Sequence, residues 1–256
     1  MSDNRIQMVD RTVAILDCFR LNQPALGVRE VARQLDLSHS TVGRIMAYLK
    51  ELGILNQDPE SQLYMMGPKV LAWAGIYTVS SDVRTLSLPI MVDLQDATRE
   101  TISLYILEGT ERVCIERLES PETVRIVQRV GRRIPLYAGS AGKVFLAYMA
   151  EALRERILKG SALLPMTENT ITDAESLRED LRAIQQRGYA ISKGEWIIDA
   201  AGVAAPIFNQ VGQITAALSI SGPIQRFKSP RIKELGELVK TEAKKVSQEL
   251  GYYVRA

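Results

Sequence analysis

The chain is poor in the residues from which metal sites and hydrolytic triads are built. Its 256 residues include one histidine and two cysteines. The histidine, His39, lies near the N-terminus, so residues 85–256 cannot form a serine–histidine–aspartate triad within one chain. Cys18 and Cys114 stand far apart in apolar surroundings, which predicts two buried thiols rather than a disulfide or a metal site. We therefore expect no catalytic residue, cofactor or metal.

Long apolar runs and a strong charge imbalance are also missing. No apolar run approaches the roughly 18 residues of a membrane-spanning helix, and residues 1–11 lack the apolar core of a signal peptide. We expect a cytoplasmic protein with no membrane partner. The net charge is +2, and residues 1–80 contain eight basic and eight acidic residues. A nucleic-acid surface in that part must therefore arise from the placement of charge rather than from its amount.

The N-terminal part does contain the pattern of three helices and a hairpin. Helical spacing of apolar residues predicts a first helix over 7–20, and Gly27 caps a second. Ser38 is the predicted N-cap of the third helix. Two short strands, 54–57 and 63–66, predict a hairpin wing. The apolar stripe of the third helix consists of Val42, Ile45, Met46, Leu49 and Leu52.

The opposite face of the third helix is small and polar, as a helix in the DNA major groove requires. An arginine can bond guanine O6 and N7 together, so we expect Arg44 to read a base, while Lys50 and the wing touch phosphate. An ordinary amphipathic surface helix is the alternative. The short helix and turn before it favour a helix-turn-helix. The residues predicted to contact DNA are Ser38, His39, Ser40, Thr41, Arg44, Tyr48 and Lys50.

A linker helix is predicted over residues 68–84, with proline in its first turn. Because it is mostly apolar and contains Leu71, Trp73 and Tyr77, we expect it to pack against a partner chain rather than stand in water. Ser81 is predicted to cap a further helix that runs to about Glu100 and bends at Pro89.

From residue 101 the apolar period changes from helical to two, and an α+β domain is predicted over residues 85–256. Thr172 and Glu175 fit a capping box at the start of one of its helices. Strands are predicted at 101–108, 111–118, 123–130, 189–192, 203–208 and 214–221. Helices are predicted at 139–149, at 151–158, after the capping box, and after residue 230.

These blocks resemble the IclR family of bacterial transcriptional regulators. The N-terminal match is LSHSTVGRIMAYLKELG (37–53) with the hairpin that follows. The more specific C-terminal matches are GRRIPLYAGSAGKVFLA (131–147), RGYAISKGE (187–195), GVAAPIFN (202–209) and ITAALSISGP (214–223). The resemblance implies a winged helix-turn-helix domain over 1–67, a linker helix over 68–84 and a GAF-like effector-binding and oligomerisation domain over 85–256. It also implies a homodimer or homotetramer that binds a palindromic double-stranded DNA operator of catabolic genes, as a repressor or an activator, under the control of a small organic acid.

Two segments are candidates to bind that acid. Alternation along 214–221 places Thr215, Ala217, Ser219 and Ser221 on one face, and the pattern alone leaves open whether this face lines a cavity or meets solvent. The glycine loop 139–142 opens a helix and offers free amides to an anion; a tight turn that needs glycine is the plainer interpretation. The resemblance implies effector contacts at Ser140, Ala141, Gly142, Ser219 and Ser221.

The segment 192–206 matches the family less closely, because family members carry an acidic stretch where this chain has Lys193 and the apolar residues 196–198. The apolar insertion predicts a hydrophobic cavity wall and hence an acid with a ring or alkyl body. Tyr105 and Leu107 share a strand face and either line the cavity or pack in the core. The candidates in this segment to face the ligand are Ser192, Glu195 and Asp199, and the choice among them stays open.

Two other functions are compatible with parts of the sequence. The chain could be an enzyme acting on a small acid or ester, with an N-terminal oligomerisation module. The spacing of Ser140 and Lys143 permits a serine–lysine nucleophile pair, and turnover that is lost in Ser140→Ala would support this alternative. A winged helix that binds only protein is the third possibility, and failure to bind any DNA at low salt would favour it.

Overall fold

The structure is a computed structural model that describes residues 7–20, 23–80, 82–127, 129–160 and 162–252, with side chains described outside 77–80. The chain forms two compact units, Met1–Ser80 and Ser81–Ala256. No helix within these described ranges is long and apolar enough to cross a membrane.

The first unit combines short helices with a three-stranded antiparallel sheet. Its central strand, β3 (Tyr64–Met66), pairs with β1 (Ala25–Leu26) and β2 (Leu55–Gln57), so the predicted hairpin forms and gains a third strand of two residues. That strand is too short to produce a period in the sequence. The elements are α1 (Gln7–Asp17), β1 (Ala25–Leu26), α2 (Val28–Leu35), α3 (His39–Glu51), β2 (Leu55–Gln57), β3 (Tyr64–Met66) and α4 (Lys69–Ser80).

Helix α3 begins and packs as its sequence predicts. The Ser38 hydroxyl accepts a hydrogen bond from the Thr41 amide at 3.2 Å, and Gly27 is the N-cap of α2. Leu52 is an exception to the predicted stripe: it is 38% exposed, and it is the C-cap residue that follows the helix. The buried residues of the stripe are Val42, Ile45, Met46 and Leu49.

The second unit is a six-stranded antiparallel sheet in the order β6-β5-β4-β9-β8-β7. One sheet face packs with α6, α7 and α8, and the other packs with α5 and α9, which makes two separate cores. The elements are α5 (Asp82–Thr98), β4 (Thr101–Glu108), β5 (Glu111–Leu118), β6 (Arg133–Pro135), α6 (Ser140–Tyr148), α7 (Glu151–Gly160), α8 (Ala174–Arg187), β7 (Ala190–Lys193), β8 (Ala200–Phe208), β9 (Ile214–Pro223) and α9 (Arg231–Glu249).

The predicted strand 123–130 is wrong: its described residues form no strand, and the short strand β6 pairs with β5 instead. Its valines recur every third residue and point to solvent, with Val124 at 68% exposure. Side chains replace a strand ladder here, because Arg117 donates to the Ile126 carbonyl and Arg226 to the Val124 carbonyl. The segment is therefore a loop attached to the sheet at intervals.

Smaller predictions at helix ends have mixed outcomes. Helix α8 is capped by Asp173, whose carboxylate accepts from the Ser176 amide at 2.7 Å, so the capping box with Thr172 is wrong by one residue. Helix α5 contains Pro89 and ends at Thr98, before the predicted Glu100. The predicted cap at Ser81 lies outside the described residues.

The two cysteines are buried and free, as predicted. Burial raises the pKa of the Cys114 thiol to about 11, which keeps it protonated and unreactive near neutral pH.

Candidate functional site

The exposed face of α3 carries the residues predicted to contact DNA. Ser40, Arg44 and Tyr48 follow one another at intervals of four residues, which places them along one side of the helix, and all three are exposed. Among the residues that the structure describes, Arg44 takes part in no ion pair. Its guanidinium therefore does not have to leave an internal partner to bind a base or a phosphate.

The ends of α3 use some of the predicted DNA-contacting groups internally. The Ser38 hydroxyl caps the helix and also donates to the Thr41 hydroxyl at 2.8 Å. Lys50 Nζ donates to Gln57 Oε1 at 3.0 Å, which ties α3 to strand β2. His39 is exposed at the first position of the helix. To contact a DNA phosphate, Lys50 must therefore give up its exposed hydrogen bond to Gln57.

A cavity in the second unit lies where the first turn of α6 meets strands β4, β8 and β9. Its volume is about 60 Å³. The strand register places Tyr105 opposite Ala217, and small residues such as Gly202 on β8 leave the space open. The residues predicted for effector binding that line this cavity are Tyr105, Ser140, Ala141, Ser192, Ser219 and Ser221.

The structure does not bring four other predicted residues to the cavity wall. Asp199 is exposed, and its carbonyl accepts from the Ile224 amide at 2.8 Å. Leu107 is two residues further along β4 than Tyr105 and packs with the core. Gly142 packs closely against the Leu136 carbonyl and leaves no room for a side chain. Glu195 is buried behind the wall rather than in it.

Glu195 instead forms part of a buried ionic cluster that supports the α6 loop. One carboxylate oxygen accepts from the Gly139 amide at 3.0 Å, and the other contacts Lys143 Nζ at 2.6 Å. Lys143 Nζ also contacts Asp180 Oδ2 at 2.7 Å and the Ile191 carbonyl at 2.9 Å. Glu195 Oε1 and the Ile191 carbonyl accept hydrogen bonds from the ammonium group, and Asp180 Oδ2 adds an ion pair. Lys143 is therefore committed to structure, which argues against a serine–lysine nucleophile pair.

The cavity wall includes an important residue that the sequence analysis missed, Arg112. This guanidinium is 4% exposed and donates through Nη1 to the carbonyls of Pro135 at 2.6 Å and Ala138 at 2.8 Å. Burial lowers its pKa to about 10, so it remains a cation at neutral pH. A signal for it exists in the sequence: in the alternating strand β5, Arg112 shares the inward face with Cys114, where an apolar residue is expected.

Comparison with known proteins agrees with this architecture along almost the whole chain. Residues 8–59 match the model of the IclR helix-turn-helix domain, and residues 75–248 match the model of the bacterial transcriptional regulator IclR C-terminal domain. The chain is 32% identical to the HTH-type transcriptional regulator KipR of Bacillus subtilis over 97% of this chain and 99% of KipR. It is also 32% identical to the HTH-type transcriptional repressor AllR of Escherichia coli, over 96% of this chain and 90% of AllR.

Solved structures of similar proteins share the fold. The crystal structure of Thermotoga maritima IclR is 30% identical with a TM-score of 0.76, covering 97% of this chain and 100% of that one. An IclR homologue from Microbacterium hydrocarbonoxydans, complexed with 4-hydroxybenzoate, is 28% identical with a TM-score of 0.83, covering 95% and 98%. The predicted α+β class, with a winged helix-turn-helix and a GAF-like domain, is confirmed. The chain belongs to the IclR family of bacterial transcriptional regulators, carries a helix-turn-helix DNA-binding domain, and is a regulator rather than an enzyme.

Proposed function

We propose that this regulator binds a palindromic operator as an oligomer in the cytoplasm, and that a small carboxylic acid in the α6 cavity controls this binding. The observation that carries the proposal is that the first turn of α6 and the residues Ser219 and Ser221 line the same cavity. The homologue complexed with 4-hydroxybenzoate supports a carboxylic acid as the class of ligand.

A carboxylate suits the chemistry of this cavity. The first amides of a helix have no acceptor within the helix, and the helix dipole adds partial positive charge at the same place. Ser140 and Ala141 supply that first turn, while Ser219 and Ser221 offer hydroxyl donors from strand β9. Hydrogen bonds to a charged acceptor are about twice as strong as neutral ones. The cavity therefore favours an ionised acid.

The size of the cavity favours a smaller acid than the sequence suggests. A space needs roughly 10–15 Å³ to hold one water, so about 60 Å³ accommodates on the order of four to six non-hydrogen atoms. Trp196 and Ile197 from the apolar insertion line this space, so they close it rather than enlarge it. A two- or three-carbon acid fits the cavity as it stands, and a ring requires side-chain movement.

The acid acts on DNA binding only if it binds two states of the protein with different affinity. In a dimer, two copies of α3 read half-sites about 34–36 Å apart. A ligand that favours the state with a different spacing weakens operator binding, and a ligand that favours the matching state strengthens it. The same residues therefore serve a repressor or an activator.

Fluorescence anisotropy of the full chain on the DNA upstream of its own gene tests the proposal. We expect specific binding at fixed salt, changed by one of acetate, propionate, lactate or 4-hydroxybenzoate. The double variant Ser219→Ala/Ser221→Ala should require at least ten times more acid for the same change. Thr215→Ala, on the same strand outside the cavity lining, is the matched control. Specific binding that no acid changes would refute control by this class of acid.

Arg44→Ala tests base reading by α3. We expect operator affinity to fall by about 1–3 kcal/mol and the base preference at one position to relax, in the same anisotropy assay with point-mutated operators. Arg33→Ala, which removes an exposed cation from α2, is the control and should change little. An unchanged preference in Arg44→Ala would assign the readout to another residue.

A further inference from the structure

Arg112 is the single charged side chain among the described residues that line the α6 cavity. It lies on β5 next to the edge strand β6, and it is almost completely buried. Its Nη1 holds the two carbonyls of Pro135 and Ala138, which fixes the chain just before α6. Two neutral carbonyls accept from the guanidinium, and the Tyr105 ring centroid lies 5.6 Å from its central carbon, but neither contact supplies a negative charge.

Within the described part of the chain, no carboxylate lies within 4.0 Å of the Arg112 guanidinium, and its Nε has no hydrogen-bond partner. The buried carboxylate whose charge acts on Arg112, Glu195, is committed to Lys143 and the Gly139 amide. An unpaired buried charge is costly, and proteins ordinarily pair it or neutralise it. The cation keeps its proton at neutral pH, so the partner it lacks is an anion.

The guanidinium lies directly against the first turn of α6. Arg112 Nη2 is 3.0 Å from the point where a Cβ on Gly139 would stand, and Nη1 is in close contact with the corresponding point on Gly142. The helix N-terminus and the cation therefore act on the same end of the cavity. Their fields add, because both are positive and both lie in a region of low dielectric constant.

We propose that Arg112 is the residue that makes this cavity select an ionised carboxylate over a neutral molecule of the same shape. The inference rests on the proposed role of the cavity as the effector site, and it adds a specific counter-charge to that role. The α6 amides and the β9 hydroxyls can bond a neutral amide or ester oxygen as well as a carboxylate. The positive charge of Arg112 stabilises only the bound anion. Arg112 is thus a specificity-determining residue, in addition to holding the loop.

The test compares acids with their neutral isosteres on the full chain. Propionate is paired with propionamide and lactate with lactamide, and dissociation constants are measured by isothermal titration calorimetry at constant ionic strength and pH 7.5. The variants are Arg112→Met, Arg112→Lys and Arg112→Gln. Arg132→Met is the matched control. Arg132 is exposed, and its guanidinium carbon lies 5.3 Å from the centroid of the Trp196 ring, so this substitution also removes a positive charge beside the cavity wall.

We expect the wild-type chain to bind one acid at least tenfold more tightly than its amide. Arg112→Met should weaken binding of that acid by about 10–100-fold, the effect of losing a charge-assisted contact, and weaken binding of its amide much less, so that the preference for the acid falls. Arg112→Lys should retain part of the preference, and Arg132→Met all of it. If Arg112→Met loses its cooperative thermal transition, Arg112→Gln and Arg112→Lys decide the question.

Two results would overturn the inference, and they are distinguishable. If the variants keep the wild-type preference for acid over amide, or lose affinity for both equally, Arg112 is a structural residue and the effector site stands without it. If no acid binds the wild-type chain, the proposed effector site itself fails, and the role of Arg112 fails with it.

Discussion

Lys143 is among the largest fully buried side chains of the protein, although it carries a charge. Its ammonium group holds together three separate pieces of the second unit: the segment around Glu195, helix α8 at Asp180 and strand β7 at Ile191. Glu195 extends this link to the Gly139 amide at the cavity. The position of the α6 loop thus depends on an ionic cluster whose charged residues do not line the cavity.

Lys143→Met is expected to destabilise the protein strongly. Removing one partner of a buried ion pair leaves the other charge uncompensated and costs roughly 3–5 kcal/mol. Urea unfolding followed by circular dichroism measures this change in the free energy of unfolding. Lys159→Met removes an exposed lysine and should change stability by less than about 0.5 kcal/mol. A loss below about 1 kcal/mol in Lys143→Met would show that the cluster contributes little.

At this scale, the sequence predicts which face a side chain occupies and seldom predicts its partner. Alternation along β9 correctly groups Ser219 with Ser221, and the structure places both at the cavity. Glu195 is a candidate ligand contact by its sequence position, yet it bonds Lys143, 52 residues away in the sequence. Such a pairing depends on how α6 and the segment after β7 meet in space, which no local pattern encodes.

At the scale of elements, the first turn of α6 requires glycine at two positions, each for a different physical reason. Gly139 has φ of +86°, a backbone conformation that other residues rarely adopt. Gly142 is needed for space instead, because a Cβ there would meet the Leu136 carbonyl and the Arg112 guanidinium. Because Gly142 has no side chain, the Arg112 guanidinium can approach it closely and bond the carbonyls that precede α6. The start of the helix and the position of the cation therefore depend on each other.

Gly142→Ala is therefore expected to disturb both the fold and the cavity. Overpacking of a tight interior site typically costs about 1–3 kcal/mol, and we expect a loss of that size in urea unfolding together with at least tenfold weaker binding of the acid. Gly160→Ala is the control, since a Cβ at Gly160 meets no atom within 4 Å. Wild-type stability and acid affinity in Gly142→Ala would contradict the steric role.

The predictions for whole elements follow the periodicity of the sequence and fail where it is ambiguous. Strands β4, β5 and β9 are predicted well because each extends over eight residues or more, which is long enough to show a period of two. Segment 123–130 is rich in β-branched residues, which favours a strand. Two of its carbonyls, those of Val124 and Ile126, instead accept from the distant side chains of Arg226 and Arg117. Tertiary contacts from other elements therefore override the local propensity.

At the scale of the molecule, the resemblance of several sequence blocks to the IclR family predicts a DNA-binding part and an effector-binding part. Periodicity alone predicts only that the first part is mainly helical and the second is α+β. The first compact unit ends at Ser80, so α4 is grouped with the DNA-binding part. The predicted boundaries at 67 and 84 remain expectations. The second unit has two cores because both faces of one sheet are covered, and this follows from the strand order, which is not readable from local sequence.

Helix α4 gives the last prediction, which concerns assembly. Its sequence KVLAWAGIYTVS contains one charged residue, and Leu71 and Ile76 are 75% and 68% exposed within the chain. A helix that is apolar on several sides is stable only when another surface covers it. We therefore expect the chain to sediment as a dimer or a larger oligomer at micromolar concentration. The double variant Leu71→Glu/Ile76→Glu should shift it toward monomer in sedimentation velocity.

The same variant connects assembly with DNA binding. An oligomer gains affinity when two copies of α3 engage one palindrome, because the second contact is intramolecular. Dissociation should therefore weaken operator binding by at least tenfold and leave binding to an isolated half-site unchanged. Val211→Glu, which alters an exposed valine in the turn before β9, is the control and should behave as the wild type. A monomeric wild-type chain, or a double variant that sediments unchanged, would exclude α4 as the assembly surface.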